Sequence, residues 1–168
     1  MACLLLAGMA VTASKGTDSI NLNQEGPGAS AGIGTTGVPV DQQAASAAIA
    51  DARLHFAAAV GTSAEALKPL QDGLNQRARQ RGLQIERESD ATLLVTSYFS
   101  AVAEEQQTIV IYVWDVSDKA GNRLHRIQGQ ERIAGRSGGW EVVEASTMTS
   151  IGSKTIDELA EWLARGRA

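Results

Sequence analysis

Two histidines, His55 and His125, occur in the 168 residues, and they bound the chemistry available to the chain. A zinc site or a general base needs a second ligand or a carboxylate at a fixed spacing. Neither histidine sits in an H-E-x-x-H or H-x-x-x-H pattern. Both are read as structural, His55 pointing outward from a strand and His125 packing against Trp114. The run Asp115-Val116-Ser117-Asp118-Lys119-Ala120-Gly121-Asn122 gathers acidic groups, but its spacing misses that of a calcium loop. It reads as a turn, with Asp118 bonding its own downstream backbone and Gly121 supplying a positive φ. Glu104-Glu105 is an acidic pair in a polar turn, where water solvates both carboxylates. No G-x-S-x-G is present, and a serine without a partnered histidine lacks a base. The single cysteine, Cys3, lies near the start, so the body of the chain has neither a disulfide framework nor a thiolate metal site. The expectation is a protein that is not an enzyme, with no catalytic residue, no metal and no cofactor.

Composition bounds the partners. The apolar fraction of 43% and charged fraction of 20% are those of a globular domain, while aromatics reach only 4%. A formal net charge of -4 argues against nucleic acid, which selects for a basic surface. No run approaches the roughly 18 apolar residues of a membrane span. Two basic groups stand out. Arg77, Arg79 and Arg81 end a helical segment, where cations complement the helix dipole. Arg123, Arg126, Arg132 and Arg136 line one hairpin, where they can meet lipid phosphates or an acidic partner, or discourage edge aggregation.

The elements that position these residues follow from periodicity. Leu54, Phe56, Ala58 and Val60 alternate as in a half-buried strand. Ser63 is placed to cap a helix whose Leu67, Leu70, Leu74 and Ala78 share one side; Pro69 lies inside it and Gly82 closes it. Strand-like runs then cover 83–87, 91–103, 108–116 and 123–133, separated by turn residues. A last helix spans about Trp140 to Ala164, with Gly152 weakening its middle. The predicted order is β-α-β-β-β-β-α, an α+β fold with an antiparallel sheet of four to five strands and two helices packed on one face. Residues 1–13 are assigned to a signal-like segment, 14–48 to a flexible tether and 49–168 to the folded domain.

Short loops fix a register that places Phe99 opposite Tyr112, Val95 opposite Val116, Ser97 opposite Trp114, and Trp114 opposite His125. One face then holds the core. The other shows Tyr98, Ser100, Ile109, Ile111 and Val113 beside Arg126, Gln128 and Gln130. Two helices can cover only one of these faces, although both sides of Thr108-Ile109-Val110-Ile111-Tyr112-Val113-Trp114 are apolar. The arginine and glutamine stems can blanket the second face, or the face is a contact surface for a partner. Tyr98, Ile111, Val113, Arg126 and Gln128 are the residues that would carry that contact.

The opening Met1 to Ser14 has the length and apolarity of an export signal, without the basic residues that usually begin one. Leu6-Ala7-Gly8 resembles the tripeptide before the lipidated cysteine of bacterial lipoproteins, but Met9 stands in the cysteine position. Either the anchor is lost or the cysteine is replaced; lipid anchoring is expected only with cysteine there. The residues from Lys15 to about Ala45 are rich in Gly, Ser, Thr, Gln and Asn, which suits a tether.

The run TIVIYVWDVSDKAGNRLHRIQGQE, the loop bearing Trp140 and the ending DELAEWLA together resemble small α/β lipoproteins of Gram-negative, especially alphaproteobacterial, envelopes. The layout is similar to that of lipid-transport auxiliary lipoproteins, of the lipopolysaccharide-assembly lipoprotein, and of the N-terminal domain of the Tol-system periplasmic protein. The resemblance implies a periplasmic protein, held at the outer membrane when lipidated, that supports an envelope assembly or lipid-transport complex through a membrane-protein or lipid partner. The alternative is a periplasmic carrier that holds a lipid or other amphiphile between sheet and helices.

Overall fold

The computed structural model describes residues 40–166. Its elements are α1 (Val40–Asp51), β1 (Arg53–Phe56), α2 (Ala64–Arg81), β2 (Gln84–Ile85), β3 (Leu93–Ala103), β4 (Gln107–Ser117), β5 (Arg123–Ala134), a 3-10 turn at Trp140–Val142, and α3 (Ala145–Ala164). The signal-like residues 1–13 and the tether up to residue 39 lie outside the described residues.

From β1 onward the chain follows the expected β-α-β-β-β-β-α order, and the described residues form a mixed α+β fold of five strands and three helices. The sheet is not purely antiparallel. Its order is β2-β1-β3-β4-β5, and β1 pairs parallel with both β2 and β3. The cause is α2: a helix of 18 residues carries the chain back to the end where β1 began, so the next strand enters in the same direction. The expected strand 83–87 shrinks to Gln84–Ile85. Only β3, β4 and β5 form the antiparallel meander that short turns dictate.

The third helix, α1, takes in residues 40–48, assigned from composition to the tether. Alanine-rich and poor in large side chains, the segment looks like linker by hydrophobicity, yet alanine has the highest helix propensity. Ile49 packs against the core, and Gln84 Nε2 donates to the Ala50 carbonyl at 2.8 Å.

Helix α2 begins as its sequence predicts. The Ser63 hydroxyl accepts from the Ala66 N–H at 3.2 Å, satisfying one of the free amides of the first turn. Gly82, at φ 73°, ends the helix, and the Leu83 N–H returns to the Ala78 carbonyl at 2.9 Å. Pro69 neither delays nor stops the helix. Its carbonyl accepts from the Thr149 hydroxyl of α3 at 3.2 Å.

Gly73 and Gly152 let α2 and α3 approach closely. A Cβ on Gly73 would stand 2.3 Å from the Thr149 carbonyl oxygen, and one on Gly152 2.6 Å from that of Leu70. Gly152 is therefore a contact point of the helix pair. Arg77 fixes the pair further along with two bonds to Asp157, at 2.9 and 3.0 Å, joined by Arg81 at 3.3 Å. The final helix starts at Ala145, after the 3-10 turn, because Glu144 is extended at φ -76°, ψ 151°.

The core lies between these two helices and one face of the sheet. Leu70, Leu74, Met148, Ile151, Ile156 and Leu159 meet Val95, Phe99, Val110, Tyr112, Trp114 and Val116. Phe99 sits among the aromatics, with ring centroids 5.4 Å from Trp114, 6.3 Å from Tyr112 and 6.4 Å from Trp140.

Candidate functional site: the uncovered face of the sheet

The β3–β4 register is the one the sequence predicts: Val95 opposite Val116, Ser97 opposite Trp114, Phe99 opposite Tyr112. Between β4 and β5 the register differs. Trp114 faces Ile127, and His125 faces Val116. Ser117 pairs with Arg123, so Leu124 is an extra residue that bulges the strand where the turn begins. The displacement from the expected pairing is two residues, an even number, so every side chain keeps its face. The turn itself is as read: Asp118 Oδ1 accepts from the Ala120 and Asn122 N–H groups, both at 2.9 Å, and Gly121 has φ 86°.

This register builds four rungs on the face opposite the helices. In order they are Thr96–Asp115–Arg126, Tyr98–Val113–Gln128, Ser100–Ile111–Gln130 and Val102–Ile109–Arg132. All five residues singled out from the sequence stand here together. Tyr98, Val113 and Gln128 share one rung, Ile111 occupies the next, and Arg126 ends the rung before. Tyr98 is 47% exposed, Ile111 42% and Val102 41%, large fractions for apolar side chains in the middle of a sheet. Ile109, on the same face, is nearly buried.

Charge is confined to the ends. Arg126 grips Asp115 through two bonds, at 2.7 and 2.6 Å, with Arg123 at 3.8 Å. The hydrogen bond from Arg126 holds the Asp115 carboxyl below the usual carboxylate range, against a smaller opposing effect of burial. Arg132 closes the far end. The two central rungs carry only Tyr, Val, Gln, Ser and Ile.

Sequence reasoning missed Val60 and Val102 on this surface. Val60 bridges to Tyr98 and is 53% exposed. Alternation in the sequence sets it with Leu54, Phe56 and Ala58, but β1 ends at Phe56 and an irregular segment intervenes. Strict alternation lost its phase there, and the alanines of 57–59 were the available signal. Val102 follows Tyr98 and Ser100 at period two, and could have been read.

The histidines belong elsewhere. His55 Nδ1 lies 3.0 Å from the Glu86 carbonyl. His125 stacks on Trp162 of α3, centroids 4.8 Å apart and planes 4° from parallel, and not on Trp114, because the register shift carries it along the strand. Burial lowers the His125 pKa below its ordinary value, and the charge of Arg165 adds to that. Among the described residues no three His, Cys, Asp or Glu side chains gather as a metal site, and no helix is long and apolar enough to cross a membrane.

The chain matches no family model and no curated protein. Solved structures do resemble it, several of them bacterial lipoproteins. A minor lipoprotein of Acinetobacter baumannii is 11% identical with a TM-score of 0.43, covering 68% of this chain and 92% of that one. A lipoprotein of Neisseria meningitidis is 8% identical with a TM-score of 0.42, covering 66% and 99%. The PelC dodecamer of Paraburkholderia phytofirmans is 16% identical with a TM-score of 0.46, covering 66% and 86%.

Proposed function

We propose that the chain is a non-catalytic, lipoprotein-like envelope protein whose uncovered sheet face docks onto a protein partner in an envelope assembly or lipid-transport complex. The observation that carries this reading is the uncharged centre of that face. Protein interfaces are depleted of charge at their core, enriched in tyrosine and arginine, and polar at their rim. Tyr98, Val113 and Ile111 flanked by Gln128 and Gln130, with Asp115–Arg126 and Arg132 at the ends, follow that plan. The residue pattern around Leu6-Ala7-Gly8 and the resemblance to small envelope lipoproteins support a periplasmic location, with outer-membrane attachment requiring a cysteine at position 9.

Between sheet and α2 the carrier alternative finds an apolar cavity of about 130 Å³. A wider cleft of about 450 Å³ lies between α2, the 3-10 turn and α3, edged by Glu65 and Glu141 and with no strand residue in its lining. Sites for drug-sized ligands span roughly 300–1,000 Å³, so the space between sheet and helix, where the carrier reading puts its ligand, is too small for a lipid. Docking is the better-supported reading.

Ile111→Lys tests it by placing a charge at the uncharged centre. The variant should keep the wild-type unfolding midpoint and lose co-migration with its envelope complex in native electrophoresis of cell extracts. Retained co-migration of a fully folded variant would refute docking through this face.

A further inference from the structure

The two edges of the sheet are unequal. One is β2, only two residues long, with the Gln84 side chain tied back to the Ala50 carbonyl at 2.8 Å. The other is β5, 12 residues long, free of proline and paired only with β4. Its one irregularity is the bulge at Leu124, so the ladder runs unbroken from His125 to Ala134. A single bond beyond the strand end shows which backbone groups point outward. The Gly135 N–H donates to the Gln106 carbonyl at 2.8 Å, in the same register as the β4–β5 ladder. Bonded and non-bonded pairs alternate in an antiparallel ladder. Ile127, Gly129, Glu131 and Ile133 therefore bond to β4, while Arg126, Gln128, Gln130 and Arg132 turn N–H and C=O away from the sheet. All four are exposed, and among the described residues no group outside the sheet bonds to their backbone.

We propose that β5 takes up an extended segment of a partner protein as a sixth strand, one with an acidic residue at each end. Outward N–H and C=O groups recurring about every 6.8 Å match the bonding repeat of an added strand. Edges that must stay unpaired are commonly short, bulged or interrupted by proline. That describes β2, whereas β5 has none of these features between His125 and Ala134. Charge selects the partner. At one end Arg123 and Arg126 share the single carboxylate of Asp115, at 3.8 and 2.6 Å. At the other, Arg132 makes no ion pair among the described residues, since its neighbour Glu131 is held by Lys154. Both ends of the row are thus net positive, in a chain whose net charge is -4. Like charges set directly opposite disfavour a strand with basic ends. Between the arginines, Gln128 and Gln130 suit small polar side chains. The edge is a separate surface from the open face: it is built of backbone groups and needs neither Tyr98 nor Ile111.

The test uses the full-length, ¹⁵N-labelled chain and an end-capped peptide, Glu-Val-Thr-Val-Thr-Val-Glu, whose glutamates reach Arg126 and Arg132 in either direction. The amide protons of Arg126, Gln128, Gln130 and Arg132 should shift saturably and exchange more slowly. The same peptide with lysine at both ends should bind about tenfold more weakly. Gln130→Pro removes one outward N–H without breaking a bond to β4. It should stay near the wild-type urea midpoint and abolish binding, while Gln130→Ala should retain it. Ile111→Lys should bind the peptide normally, so failure of the docking face and failure of the edge are read apart. Unmoved β5 amides, equal affinity for the two peptides, or binding by a folded Gln130→Pro would each overturn the proposal. So would a collapsed midpoint in both Gln130→Pro and Gln128→Pro, which would mean that these N–H groups bond to β4. A concentration-dependent dimer that excludes the peptide would overturn it in favour of a second copy of this chain.

Discussion

The two faces of the sheet are made by alternate residues of the same three strands, and they differ in what lies over them. On one, Val95, Phe99, Val110, Tyr112, Trp114 and Val116 vanish beneath α2 and α3. On the other, Tyr98, Val102 and Ile111 remain more than two-fifths exposed, between ion-paired or basic ends. Along β4 the apolar content of the two faces is nearly equal, so hydrophobicity alone does not say which is the core. What decides is the supply of helices: α2 and α3 bind each other through Gly73 and Gly152 and so form a single layer over one face. The other face is left with the composition of a core and the exposure of a surface.

That contrast predicts unequal sensitivity to substitution. The largest effect belongs to Trp114→Ala on the covered face, expected to destabilise by about 3–5 kcal/mol in urea unfolding. A change of under 1 kcal/mol would mean that the aromatic cluster does not organise the core. Next is Gly152→Ala, whose new Cβ would press on the Leu70 carbonyl at 2.6 Å. Alanine is the better helix former by about 1 kcal/mol, yet the forced separation of α2 and α3 should leave a net loss of roughly 1–3 kcal/mol. A stabilised variant would show that the helices can separate freely.

On the open face, Tyr98→Ser and Ile111→Ser should each change stability by about 1 kcal/mol or less. Larger losses would mean that this face is structural, and the contrast would collapse. The smallest effect is a pH dependence. Folding lowers the His125 pKa, so the unfolded chain takes up the proton first as pH falls below about 6.5. Stability is then full above that value and declines through the window down to the folded pKa. His125→Phe keeps an aromatic ring against Trp162 and should flatten the decline between pH 7.5 and 5.5, read as the shift in urea midpoint. An unchanged slope would place the titration elsewhere.

Much of this was legible in the residues, and the failures have physical causes. The caps of α2 could be read because Ser63 and Gly82 have one local task each. The β3–β4 pairing followed from a short polar turn. The β4–β5 pairing missed by two residues, one from a turn that closes on Arg123 and not Asn122 and one from the bulge at Leu124, which leaves no mark in hydrophobic pattern; the faces survived because the two add to an even shift. The parallel pairing of β1 was hidden because strand direction depends on where a connecting helix delivers the chain. Helix α1 was hidden by alanine, which is indifferent to burial and favourable to helix. Of the candidate surface, all five named residues share a face as expected, while Val60 escaped because the chain loses its alternation between Phe56 and Val60.

The central claim, that the uncovered face is a docking surface, is tested most directly by photo-crosslinking in living cells. A photoreactive amino acid would replace Tyr98 or Ile111, with exposed Glu104 in the β3–β4 turn as the control. Docking through this face gives a discrete adduct with one envelope protein from both sheet positions and none from the turn. Equal labelling from Glu104, or no adduct from Tyr98 and Ile111 in a folded chain, would contradict it.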